Sequence, residues 1–199
     1  IIDESTLYRQ DFHLDRPAQV LGRELTEREQ AARAIDAGSH RGVAGSSYLD
    51  LEGNVAILSS GGGASLTVFD AFAKAAEGTD YSPANFTEYS GNPPREKVAE
   101  LTSIVLSKPN LKGFWIVGGL ANFTDIYETL GGVLDGIRRL NEKPTYPIVI
   151  RRGGPRTEEA FEMLKTEGEK EGYNFILQNP ETTFFESATT LIKEIKKAN

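Results

Sequence analysis

Cysteine is absent from the 199 residues, and the chain has only two histidines, one tryptophan and one methionine. The lack of cysteine excludes disulfides, thiolate metal sites and a cysteine nucleophile, and it fits a cytosolic, cytoplasmic setting. Neither His13 nor His40 has a second histidine or a carboxylate at metal-ligand spacing, so both read as solvated or hydrogen-bonded surface residues and no metal is expected. No apolar run approaches the roughly 20 residues of a membrane span, and Ile1-Ile2-Asp3-Glu4-Ser5 lacks the basic-then-apolar order of a signal peptide. No membrane partner is expected. Positive charge is also scarce: 22 Lys and Arg stand against 29 Asp and Glu, a net charge of −7 that argues against a nucleic-acid surface. A small anion could still bind, but only where donors are concentrated locally. The opening residue is Ile1 rather than methionine, so the expectation is a fragment.

What is present is a soluble globular composition, 39% hydrophobic and 26% charged. The organising stretch is Val55-Ala56-Ile57-Leu58 followed by Ser59-Ser60-Gly61-Gly62-Gly63-Ala64-Ser65 and a helical pattern. Strand, glycine turn and helix start a βαβ unit. At such a helix start the free N–H groups and the dipole welcome an anion, and glycine lets the backbone approach it. The run matches neither G-x-G-x-x-G nor a Walker loop. An anion site and a plain tight turn both remain open for it.

Before this stretch, residues 1–23 show no period and read as an extended arm. Thr26-Glu27-Arg28-Glu29 reads as a capping box opening a helix through Ala37, stopped by Gly38. Its apolar positions are mostly alanines, so we read it as a linker helix and not a core helix. Tyr48-Leu49-Asp50-Leu51 with the turn Glu52-Gly53-Asn54 predicts a hairpin into Val55–Leu58. After it, helices are expected over 64–76, 95–106, 125–140, 157–171 and 184–196. Strands are expected at 84–89, 113–117, 147–150 and 175–177. The continuous apolar runs Phe114-Trp115-Ile116-Val117 and Ile148-Val149-Ile150 are those of strands buried on both faces. The alternation predicts an α/β fold: a flavodoxin-like, doubly wound, mainly parallel five-stranded sheet with helices on both faces. We divide the chain into 1–45, arm and linker helix, and 46–199, the α/β domain.

In open α/β sheets ligands bind beyond the carboxyl ends of the strands. Four loops there mix glycine with polar or basic residues: Gly61–Ser65, Tyr89-Ser90-Gly91, Gly119-Leu120-Ala121-Asn122-Phe123-Thr124, and Arg151-Arg152-Gly153-Gly154. The Asn122 amide and Thr124 hydroxyl offer donors, and an arginine offers a fork that matches a carboxylate. Two arginines directly after a buried strand are costly without an anion. The competing readings are that Asn122 caps the helix near Asp125, and that Arg151 or Arg152 pairs with an acid such as Glu158.

These motifs, with Ala84-Asn85-Phe86-Thr87-Glu88-Tyr89-Ser90-Gly91, Gly118-Gly119-Leu120-Ala121-Asn122-Phe123-Thr124 and Val149-Ile150-Arg151-Arg152-Gly153-Gly154-Pro155, resemble the citrate-binding domain of ATP-citrate lyase. That enzyme's synthetase part is similar to the β subunit of succinyl-CoA synthetase. The resemblance extends over nearly the whole chain. It makes Ile2–Arg9 the segment closing an absent ATP-grasp domain, and 26–37 the connecting helix. The Asn-Phe-Thr run and the double arginine depart from the succinyl-CoA branch and favour citrate.

The resemblance implies that ATP, with Mg, phosphorylates a histidine on a synthetase α-type partner. Phosphate then passes to citrate, and CoA displaces it to give citryl-CoA, whose cleavage belongs to a citryl-CoA lyase module. It implies that Ser90, Gly91, Asn122, Phe123, Thr124 and Arg152 hold citrate, and that Gly62, Gly63, Ala64 and Ser65 face the phosphohistidine. No catalytic residue or bound cofactor is then expected in this chain, which alone should be inactive. The alternatives are a succinyl-CoA synthetase β-subunit domain and a non-catalytic flavodoxin-like interaction module.

Overall fold

A computed structural model describes residues 23–38 and 41–198. The elements are α1 (Glu27–Ala37), β1 (Leu49–Asp50), β2 (Val55–Ser60), α2 (Ala64–Ala75), β3 (Asn85–Phe86), β4 (Glu88–Tyr89), α3 (Arg95–Leu106), β5 (Gly113–Leu120), α4 (Ile126–Arg138), β6 (Ile148–Gly153), α5 (Thr157–Glu171), β7 (Phe175–Gln178) and α6 (Phe184–Ala198). The main sheet has five strands in the order β4-β2-β5-β6-β7, and every pairing in it is parallel. Ranked along the chain, the order is second, first, third, fourth, fifth, which is flavodoxin-like.

Side chains alternate across each strand and so feed two cores. Val55 and Ile57 of β2 with Trp115 and Val117 of β5 meet α2 and α6 on one face. Ala56, Leu58, Phe114, Ile116, Ile148 and Ile150 meet α3, α4 and α5 on the other. Trp115, fully buried, donates its indole N–H to Ser187 Oγ of α6 at 2.9 Å, satisfying the one polar atom that its burial carries.

Three expectations are corrected. Leu49–Asp50 forms no hairpin with β2: it pairs antiparallel with Asn85–Phe86 in a separate two-stranded sheet. The strand expected at 84–89 is broken at Thr87, so that only Glu88–Tyr89 joins the main sheet. Alongside Ile57, a side chain takes the role of a strand: Asn85 Oδ1 accepts from Ile57 N–H at 3.1 Å and its amide donates to Ile57 C=O at 2.7 Å. The alanine-rich α1 is not peripheral, because Ala32 and Ile35 enter the core against α3. Its capping box is formed, with Glu29 N–H to Thr26 Oγ1 at 3.2 Å and Thr26 N–H to Glu29 Oε2 at 2.8 Å. His13, His40 and the arm Ile2–Arg9 lie outside the described residues.

Candidate functional site

Strands β5 and β6 run further than their apolar cores suggest, so Gly118-Gly119 and Arg151-Arg152 lie within strands and not in the loops after them. Successive residues of β6 therefore send the two arginines to opposite faces. Arg151 turns to the α6 side. Its guanidinium donates to Thr182 O at 2.8 Å, Pro180 O at 2.6 Å and Gly118 O, and lies 4.6 Å over the Phe184 ring. Burial, and next the neighbouring Arg152 charge, push its pKa below the ordinary value. Each of the three guanidinium nitrogens donates to a backbone carbonyl, so Arg151 is a clamp between strand end and loop.

Arg152 turns to the other face and is 2% exposed. It reaches across β5, donating to Ser60 Oγ on β2, with Gly119 O at 3.4 Å and the Tyr89 ring of β4 5.7 Å away. Gly118 makes this crossing possible: a Cβ there would overlap both the Arg152 guanidinium and Ser60 Oγ. Among the described residues no salt bridge reaches either arginine, so neither pairs with Glu158. Arg152 Nε and the Tyr89 hydroxyl are both buried without a hydrogen-bond partner. A buried guanidinium with no anion costs several kcal/mol, so this group has unfilled binding capacity.

The other expected residues surround the same strand ends. Ser90 is held by its backbone, exchanging N–H···O bonds of 3.0 and 2.9 Å with Val43. Gly91 is exposed with φ +69°, the left-handed region suited to glycine. Asn122 and Phe123 are exposed and Thr124 half-buried. The helix after them is capped by Asp125, whose carboxylate accepts from Glu128 N–H at 3.0 Å, so Asn122 is not the cap and its amide is left for other work. Asn92 ties the two loops together, its Oδ1 accepting from Asp125 N–H at 3.1 Å. Gly154 is packed against Ala121, which brings the fourth loop to the third.

At the glycine triplet, Gly61 (φ +109°) and Gly62 (φ +57°) form the turn into α2. Gly61, Gly62 and Gly63 are exposed and Ala64 half-buried. Ser65 points inward, its hydroxyl donating to Gly62 O at 2.6 Å. The Gly62 N–H is already taken by a carboxylate, Glu88 Oε1 at 2.8 Å. One N–H of the turn before α2 is thus occupied by a carboxylate from β4, and the next two, those of Ala64 and Ser65, close turn bonds to Gly61 O at 3.2 Å and Gly62 O at 2.9 Å. Ser60, Glu88 and Asn92 join the site from outside the four loops, and Tyr89, which opens the second loop, joins through its ring. A polar Ser59-Ser60 tail on an apolar strand was the one signal in the sequence for Ser60. Among the described residues no group of three or more His, Cys, Asp or Glu is placed to hold a metal, and no helix is long and apolar enough to cross a membrane.

Comparison with known proteins gives the following. A family model described as ATP citrate lyase citrate-binding matches residues 23–193. A probable ATP-citrate synthase of Caenorhabditis elegans is 30% identical over 188 residues, covering 89% of this chain and 16% of that protein. The succinate–CoA ligase [ADP-forming] β subunit of Desulfurococcus amylolyticus is 29% identical over 170 residues, covering 84% of this chain and 39% of that protein. Among solved structures, the ATP citrate lyase of Methanothrix soehngenii in complex with citrate and coenzyme A superposes with a TM-score of 0.75 at 28% identity, covering 87% of this chain and 44% of that one. An ATP citrate lyase mutant of Methanosaeta concilii in complex with (3S)-citryl-CoA gives 0.74 at 29% identity, with the same coverage of 87% and 44%. The chain spans less than half the length of each of these relatives.

Proposed function

Because the chain belongs to the ATP citrate lyase citrate-binding family, we propose that it is the acid-binding domain of an ATP-citrate lyase or citryl-CoA synthetase subunit and holds citrate at the carboxyl edge of its sheet. The observation that carries this reading is Arg152, a buried cation without an acidic partner among the described residues, set where the strand ends converge. Its fork suits one carboxylate of the ligand. The Asn122 amide, the Thr124 and Ser90 hydroxyls and the Gly91 backbone serve the remaining oxygens, and the exposed Phe123 covers them from solvent. Complexes with citrate and coenzyme A, and with citryl-CoA, in the solved neighbours support this assignment.

In this reading the start of α2, Gly62 to Ser65, faces a phosphohistidine carried by a synthetase α-type partner. Glu88 keeps the Gly62 N–H occupied until the phosphoryl group displaces it. ATP with Mg supplies that phosphoryl group and CoA the thiol in the complete cytoplasmic enzyme; this domain orients the acid for both. Residues 1–45 continue from an ATP-grasp domain, and a citryl-CoA lyase module completes cleavage. Alone, the chain is inactive.

The test is a calorimetric titration of the full-length protein with citrate and with succinate. Citrate binding tighter by at least about tenfold, or 1.4 kcal/mol, is expected. A preference for succinate selects the second reading, a succinyl-CoA synthetase β-type domain, which the 29% identity to a succinate–CoA ligase β subunit favours. Binding of neither acid overturns both.

A further inference from the structure

We propose that α1 and the segment 42–47 form an inner wall of the acid site, in which Asp36 and Lys97 are positioning residues that set the backbone of Ser90 and Gly91; the inference rests on the citrate reading above. The connection can be followed bond by bond. Asp36, in the last turn of α1, accepts from the successive N–H groups of Ala44 (3.1 Å), Gly45 (3.0 Å) and Ser46 (2.9 Å), and from Ser46 Oγ at 2.6 Å. Lys97, in the first turn of α3 and 6% exposed, donates to Asp36 at 2.9 Å and to Gly42 O at 3.0 Å. One carboxylate and one ammonium therefore define the path of residues 42–46.

That path leads directly to the site. Val43 exchanges both backbone bonds with Ser90, and Ser47 Oγ accepts from Glu88 N–H and donates to Glu88 O, each at 2.9 Å. The backbone is thus pinned on both sides of Tyr89. Gly42 and Gly91, at φ +63° and +69°, are packed so closely that a Cβ on Gly91 would lie 3.3 Å from Gly42 Cα. From the other side, Gly45 lies on α1 with no room for a Cβ against Ala32 O. The presentation of the Ser90 hydroxyl and Gly91 backbone is therefore dictated by an ion pair that itself makes no contact with the acid. Because the pair is largely buried, removing one member strands the other and releases the segment.

The test uses the full-length protein, joined by its synthetase α-type partner where turnover is measured, with Asp36→Asn, Lys97→Met, the conservative Lys97→Arg, and Ser47→Ala as a milder release of the same backbone. Arg152→Ala is the control for the citrate site. The expected result is a rise of about tenfold or more in the citrate KM and calorimetric Kd, with kcat at saturating citrate and the KM for CoA within about twofold. Lys97→Arg should restore citrate affinity. If folded variants bind citrate like the wild type while Arg152→Ala loses it, the wall is merely structural and only the citrate reading survives. Uniform loss across kcat and both KM values also overturns the proposal, as general loosening. A wild type that binds no citrate, or an Arg152→Ala protein that binds it unchanged, overturns both. If the ion-pair variants do not fold, Ser47→Ala decides by the same criteria.

Discussion

Arg152 and Asp36 show how much a single side chain's surroundings decide. The double arginine was conspicuous in the sequence, but its division of labour was not, because the bonds to Ser60 and Thr182 join residues far apart in the chain. Only strand alternation, once β6 is known to include both, separates a clamp from a ligand group. Gly118 is the residue on which Arg152's path depends. Gly118→Ala should weaken citrate binding at least about tenfold and cost about 1–3 kcal/mol of stability through overpacking. Citrate titration and chemical denaturation check both; unchanged citrate affinity would show that Arg152 does not need this path.

Asp36 makes a pH prediction. Burial raises its carboxyl pKa, but the hydrogen bonds from Ser46, Lys97 and Ala44 outweigh burial and hold it at about 2, against the usual 3.8. A carboxyl whose folded pKa lies below its unfolded value stabilises the protein above the unfolded pKa, and that contribution fades as pH falls through the folded one. The Tm difference between wild type and Asp36→Asn should accordingly be full above about pH 4 and shrink towards about pH 2, with about 2 kcal/mol at stake. A difference that is flat over this range contradicts the assignment.

At the level of elements, the long strands and helices were legible because burial on two faces writes continuous apolar runs, and amphipathic helices write a 3.6-residue period. Two-residue strands write no period, which is why the antiparallel β1–β3 pair and the break at Thr87 did not emerge from pattern. Alanine misled in α1: read as little to bury, it is instead what lets the helix approach α3. Helix α4 repeats this with glycine. A Cβ at Gly136 would lie 2.5 Å from Thr102 Cβ and 2.6 Å from Ala99 O of α3. Helix propensity alone predicts that Gly136→Ala stabilises by about 1 kcal/mol; the packing predicts a net loss of about 2 kcal/mol. Denaturant unfolding reads the sign directly, and stabilisation would mean that the two helices can separate freely.

For the whole molecule, the βα alternation pointed to a doubly wound, flavodoxin-like sheet; the observed order is 2-1-3-4-5, and in such a sheet the ligand lies at the carboxyl edge. The converging loops were legible for the same reason, since the topology brings every strand's end to one side. Less legible was the contribution from outside the sheet: α1 and residues 42–45 fall on the arm side of the division at residue 45, and Val43 bonds to Ser90 and Asp36 to Lys97. Long-range hydrogen bonds to backbone leave no periodic trace. The family match over residues 23–193 includes this wall.

The most direct measurement of the central claim is the citrate affinity of the full-length protein by calorimetry, with Arg152→Ala set beside the wild type. Removal of a buried charged partner to a ligand carboxylate costs about 2–5 kcal/mol, so the account predicts a loss of about 30-fold or more in citrate affinity with the fold retained. A folded Arg152→Ala protein that binds citrate as tightly as the wild type contradicts it.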